Sequence, residues 1–264
     1  INQSAPAPCM KRHSLPLLSV LFLSFTFSAL ATVHYVSTNS VQPAPPYTNW
    51  STAAHVIQDA IDIAETGDQI LVTNGVYETG GRAITNGVSD TEYGVVYDAV
   101  TNRISVTKPL LVQSVNGPQE TVIQGFQVPG TTNGDSAVRC AYLTNGAGLA
   151  GFTLSNGATR AVTIVQGISC NSGGGVMCEF GAVVSNCILT CNSAREMGGG
   201  VRGGTLFNCV ISNNVARMGG GGGGAYCTLI SACFPTILDA EQRAVPSTAA
   251  RWSPIAAVGQ AAAS

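Results

Sequence analysis

The sequence predicts an all-β solenoid, a coil of short stacked strands closed at its N-terminal end by an α-helix. Three observations predict it. Gly-Gly-Gly blocks return with the same residues behind them, and short β-branched runs punctuated by Asn-Gly or single glycines fill the middle of the chain. One amphipathic helical stripe precedes the first of those runs.

The first glycine block, Gly173-Gly174-Gly175, is followed by Val176, by Ser185-Asn186-Cys187-Ile188-Leu189, and by Asn192, Ala194 and Met197. The second, Gly198-Gly199-Gly200, is followed by Val201, by Phe207-Asn208-Cys209-Val210-Ile211, and by Asn214, Ala216 and Met218. A third opens at Gly219 and runs through six glycines to Gly224. The 25 residues from Gly173 to Gly198, and the 21 from Gly198 to Gly219, are each close to one solenoid turn. A turn of roughly 20 to 25 residues carries strands too short to hide their apolar faces alone, so turns stack and bury one continuous core. Glycine and asparagine are expected at the bends, where a positive φ or a tight corner is needed.

Composition agrees. The chain has 264 residues, 31 of them glycine, with 45% hydrophobic and 10% charged residues and a formal net charge of −2. Disorder needs low hydrophobicity with high charge, and collagen needs glycine at every third position, so both are excluded. Without a basic tract beyond the N-terminus, nucleic acid is not a partner.

In chain order, residues 1–9 precede a plausible initiator, Met10, and read as untranslated sequence. Residues 10–31 read as a secretory signal peptide: Met10-Lys11-Arg12, an apolar run from Leu15 to Phe27, then Ala29-Leu30-Ala31 as cleavage site. The apolar run is shorter than the roughly 20 residues of a membrane span. A secreted chain, extracellular or on the outer cell surface, is therefore expected, with the solenoid over 32–230. Within it, Ala53, Val56, Ile57, Ala60, Ile61 and Ala64 form the apolar stripe of a capping helix over 52–65, with Ser51 or Thr52 as N-cap and Gly67 after its end. Strands follow at 69–73, 76–78, 104–106, 110–114, 121–124, 137–143 and 151–154. Asn-Gly at 74, 86, 116, 133, 145 and 156 invites a hairpin reading, but such short strands in so strict a repeat favour coil corners. The glycine-rich repeats occupy 173–227. Beyond them, residues 231–264 lose every repeat word, which predicts a disordered or frame-shifted tail and a solenoid truncated at its C-terminal end.

Cys187 and Cys209 hold the same slot in successive repeats, and Cys227 is a candidate for it in a third. Stacked at the roughly 4.8 Å rung spacing, such thiols form a buried core ladder, favoured over bridges between rungs. No paired CxxC motif supports zinc, the glycine run lacks the Lys of a phosphate loop, and no other cofactor motif occurs.

The segments Ile57-Gln58-Asp59-Ala60-Ile61, Gly67-Asp68-Gln69-Ile70-Leu71-Val72 and Gly75-Val76-Tyr77 resemble the capping helix and first turn of the pectin-lyase-like superfamily. Val106-Thr107-Lys108-Pro109-Leu110 and Thr121-Val122-Ile123-Gln124-Gly125 resemble that group's second turn. The stretch from Ile211 through Asn214 and Ala216 to Gly219-Gly220 is similar to the repeat of chlamydial polymorphic outer-membrane proteins, and the glycine repeats resemble those of large bacterial surface proteins. This resemblance implies a right-handed parallel β-helix. It leaves activity open, because the superfamily holds lyases, hydrolases, esterases and non-catalytic passengers.

Catalysis on acidic polysaccharides needs clustered carboxylates with a basic partner. Between residues 140 and 230 the acids are Glu179 and Glu196 alone, without lysine or histidine. Asp90, Glu92 and Asp98 fall in a loop-like insertion, and His34 and His55 read as isolated. Arg195 and Arg217 follow the repeat's alanine and should stack on one exterior line, with Arg202 as a candidate third member; such a line suits an anionic sugar chain. The reading is a surface protein presenting repeats for adhesion or glycan binding, with an extracellular polysaccharide or cell-surface glycan as partner. Its alternative is a polysaccharide lyase or glycoside hydrolase whose active turns lie outside this sequence.

Overall fold

The computed structural model describes residues 31–84, 89–90, 95–96, 100–161, 171–217 and 223–233. Residues 1–9, the signal segment through Leu30, Glu92, Asp98, the glycines at 219–222 and the tail from Phe234 lie outside them. The described residues form a parallel β-helix. Its first face stacks strands Val33–Val36, Gln69–Val72, Leu111–Ser114, Gly148–Ala150 and Val183–Ser185, then the middle portions of Val201–Ser212 and Ala225–Cys233. One register runs through it, Val33 to Gln69, Leu111, Gly148, Val183, Thr205 and Thr228, every pairing parallel. The second face stacks Gly75–Tyr77, Thr121–Gln124, Thr153–Ser155 and Ile188–Thr190 under the end of Val201–Ser212. The third stacks Val100–Val106, Val138–Leu143 and Val176–Cys178 under the starts of the two longest strands. Chain flanking Asn116-Gly117 or Asn145-Gly146 pairs with coils above and below and not with itself, so these dipeptides are corners and not hairpin turns.

Alternate residues point inward and meet their equivalents. Ile70, Val112, Leu149, Val184 and Leu206 make one buried column, Ile123, Leu154, Leu189 and Ile211 a second, and Ile104, Ala141, Val176, Val201 and Ala225 a third. Each fully buried aliphatic side chain contributes about 1.5–3 kcal/mol. The predicted coil length holds at the C-terminal end, where Val183 pairs with Thr205, 22 residues on, and Thr205 with Thr228, 23 on. Earlier coils are longer, 36 residues from Val33 to Gln69 and 42 from Gln69 to Leu111, because their corners carry insertions. The last strand continues to Cys233, three residues into the stretch assigned to the tail.

The N-terminal cap is more than a helix. Helix α1 spans Ile57–Ile63, shorter than the expected 52–65, and Asn49, not Ser51 or Thr52, caps the 3-10 turn Trp50–Thr52 before it. Ala53 and Ala64 fit the helical period, yet Ala54 is held in extended chain: its N–H donates to the Tyr35 carbonyl (2.9 Å) and its carbonyl accepts from Ser37 N–H (2.8 Å). That contact covers the outer edge of the first strand. Gly67, at φ +93°, belongs to the Glu65–Asp68 turn and not to the helix terminus, whose carbonyls instead accept from Lys108 Nζ. Gln58 extends the cap to the third face. Its Oε1 accepts from Ser105 N–H (2.7 Å) and its Nε2 donates to the Ser105 carbonyl (3.3 Å), so one side chain pairs the edge of Val100–Val106 beyond Asn102, where the antiparallel strand Arg82–Ile84 leaves off.

The glycine blocks and the asparagines behind them form one device. Only the first glycine of each block, Gly173 (φ +67°) and Gly198 (φ +58°), bends the chain. The second and third are required for space. A Cβ on Gly174 would lie 2.2 Å from the Ser193 carbonyl, and one on Gly199 2.3 Å from that of Val215. Beneath Gly175 and Gly200 sit the buried amides of Asn192 and Asn214. Asn192 Oδ1 accepts from Gly157 N–H (2.8 Å), its Nδ2 donates to the Leu154 carbonyl (2.9 Å) and to Asn214 Oδ1 (3.0 Å), and Asn214 Nδ2 donates to the Leu189 carbonyl (2.8 Å). In register, Gly200 donates to the carbonyls of Gly223 and Gly224, so the third block aligns by its last glycines and not from Gly219. The guanidinium of Arg139, itself buried, fastens the same corner by donating to the carbonyls of Ser172 (2.9 Å) and Gly173 (2.7 Å) and to Asn102 Oδ1 (2.8 Å).

Cys187 and Cys209 are free, buried and stacked as a core ladder. Cys227 does not continue it, because Ala232 occupies the next rung above Cys209. It stands instead above Gly203-Gly204, on the corner that also holds Cys178. Among the described residues no helix is long and apolar enough to cross a membrane.

Candidate functional site

Register places Arg195 and Arg217 on one line. Ser193 and Ala194 pair with Val215 and Ala216, and Arg217 N–H donates to the Ala194 carbonyl (3.1 Å). The line has a third member that the sequence reading missed. Ala158 bridges to Ser193, so Arg160, two residues on, stands in the column below Arg195. The signal was present: Asn156-Gly157-Ala158-Thr159-Arg160 carries the same words as Asn192-Ser193-Ala194-Arg195 with one residue added. Arg202 does not belong to this column. It stands on the third face between Met177 and Tyr226, with its Cζ 5.4 Å from the Tyr226 ring centroid.

The backbone positions of the three arginines on successive coils repeat at about 4.8 Å, the spacing between paired strands. The 126–135 loop leans against both ends of the column. Arg160 Nη2 donates to Asp135 Oδ1 (2.8 Å) and Arg217 Nη2 to Thr132 Oγ1 (2.9 Å). Arg160 is mostly covered, Arg195 half-buried and Arg217 exposed, while Asp135 is open to solvent. The planar forks of arginine are of a geometry that suits carboxylates.

The described carboxylates are dispersed. Asp62 pairs with Arg82, Glu120 accepts from Asn74, and Glu78 from Gln124. Glu179 accepts from the Tyr142 hydroxyl, Thr144 Oγ1 (2.8 Å) and Asn145 N–H (3.3 Å). The Tyr142 bond is the main cause that holds its carboxyl below the usual range. Burial and the same bond push the Tyr142 phenol up. His34 is not isolated: it is buried beside Asp68, with Nε2 3.0 Å from Oδ2 and Nδ1–H donating to the Pro46 carbonyl (2.7 Å). Burial alone would raise the Asp68 carboxyl. Hydrogen bonds from Glu65 N–H, His34 and Thr32 N–H outweigh it and hold the group low. Closed to solvent inside the base of the coil, this pair is structural. Among the described residues no group of three or more His, Cys, Asp or Glu side chains is placed to hold a metal ion.

No family model and no curated protein matches the chain. Three solved structures are similar: pectin methylesterase from carrot (13% identity over 77% of this chain, TM-score 0.44), a pectin methylesterase in complex with a hexasaccharide (16% over 77%, 0.42) and a rhamnogalacturonan lyase (12% over 75%, 0.38). The matches cover 52%, 56% and 62% of those chains, so this chain spans little more than half their length. At these identities and TM-scores they carry nothing about what this chain acts on.

Proposed function

We propose that the protein is an extracellular parallel β-helix that contacts acidic polysaccharide through the column Arg160, Arg195 and Arg217. The carrying observation is the shared register of the three residues. It gives a linear array of positive charge on a chain whose described carboxylates are scattered and mostly engaged. The glycine-rich coils resemble those of bacterial surface passengers, which agrees with a role in adhesion, and nothing in this reading requires a bond to be made or broken. Arg160 is the tempered member, because Asp135 already occupies its guanidinium and an incoming carboxylate must displace it.

Calorimetric titration with oligogalacturonate and with its neutral methyl ester tests the reading. The acid form should bind, the ester should bind at least about tenfold more weakly, and Arg195→Gln with Arg217→Gln should abolish that preference while the melting temperature stays unchanged. Asp135→Asn should strengthen binding by removing the carboxylate that competes with the ligand for Arg160. Equal affinity for acid and ester, or a double variant that binds like the parent, contradicts the proposal.

A further inference from the structure

Where the third face turns into the first, the last described coils line an open cleft of about 500 Å³, within the size range of small-molecule sites. Gly203 and Gly204, both at positive φ, are in its lining and let the chain lie close against Cys178 of the coil below. Met177, Phe180, Tyr226, Thr205 and Thr228 also line it. Arg202 is the single charged residue of the lining. Cys178 and Cys227 also line it, and burial raises both thiols, Cys227 to about 12, so they stay neutral.

Two features of this corner lack a partner. Phe180 is 95% exposed, although the bonds to Glu179 beside it fix the turn that carries it. The Nε–H of Arg202 is buried with no acceptor among the described residues, while the guanidinium rests on the Tyr226 ring and feels the charge of Glu196. A ligand with a flat apolar body covers the first, and a carboxylate completes the second after a small turn of the side chain. A neutral sugar suits the cleft poorly, because the lining holds no carboxylate or amide side chain to meet its hydroxyls.

We propose that this corner cleft binds a small aromatic carboxylate, its anionic head on Arg202 and its ring against Met177, Phe180 and Tyr226. The site is separate from the arginine column and does not depend on the polysaccharide reading. Titration of the full chain with benzoate, followed by ligand-observed NMR, tests it, with benzyl alcohol and galacturonate as comparisons. Benzoate should saturate one site, with benzyl alcohol and galacturonate each weaker by about tenfold, the factor for one charge-assisted hydrogen bond or one lost apolar face. Arg202→Gln should weaken benzoate by a similar factor and leave benzyl alcohol unchanged, whereas Phe180→Ala should weaken both. Both side chains are at least partly exposed, and unchanged melting curves confirm that the variants fold. No saturable binding of benzoate, galacturonate binding as tightly as benzoate, or an Arg202→Gln variant that keeps its benzoate affinity overturns the proposal.

Discussion

Gly199 shows how much one residue decides in this chain. Its Cβ would stand 2.3 Å from the Val215 carbonyl and 2.4 Å from that of Gly223, and neither backbone group can move without parting two coils. Gly199→Ala should therefore cost about 1–3 kcal/mol or more, read as a lower urea midpoint, although alanine is ordinarily a mild change. A variant as stable as the parent would show that the coils are not packed this closely. Burial governs the thiols in the same way. It pushes Cys140 and Cys187 up to about 12, and Cys209 also upward, whereas Cys191 is exposed. Alkylation at pH 8 with peptide mapping should label Cys191 in the folded protein and reach Cys140, Cys187 and Cys209 only after unfolding. Early labelling of Cys187 would contradict the core ladder.

The elements differ in how legible they are. The glycine-rich coils could be read from the sequence because each is a bare turn of 22 to 25 residues, so equivalent words fall at nearly equal spacing. Earlier coils carry insertions at their corners, which erase the period while leaving the register intact. The same effect hid Arg160, which lies 35 residues before Arg195, whereas Arg195 and Arg217 are 22 apart. Periodicity overstated the helix because Ala53 and Ala64 are buried from outside it, Ala53 as the end of the 3-10 turn and Ala64 as the C-cap of α1. Nor could spacing reveal Gln58 pairing a strand edge, or His34 meeting Asp68 across 34 residues. That last pair makes the N-terminal cap sensitive to acid. With the folded Asp68 pKa below its unfolded value of about 3.9, its contribution is complete above that value and is lost as pH falls through the folded one. Asp68→Asn should lower stability at pH 7 by about 1–3 kcal/mol and flatten the fall in melting temperature below about pH 4. Parallel acid profiles for variant and parent would refute this role.

At the scale of the molecule, the coil turns a weak local signal, one arginine per turn, into a directed array. Rungs are spaced by pairing geometry, so three arginines span about 10 Å along the axis, comparable to the reach of a short run of extended uronate residues. Neither a single guanidinium nor a net charge of −2 would favour an acidic polymer. In the proposed reading the favourable term arises from register, and it requires several anions on one ligand. The most direct measurement is the affinity of the chain for galacturonate oligomers of increasing length at fixed salt. The account predicts weak binding of the monosaccharide, a rise at each step to the trimer, and little gain beyond it. Equal affinity for monosaccharide and trimer would contradict a column that acts as a unit.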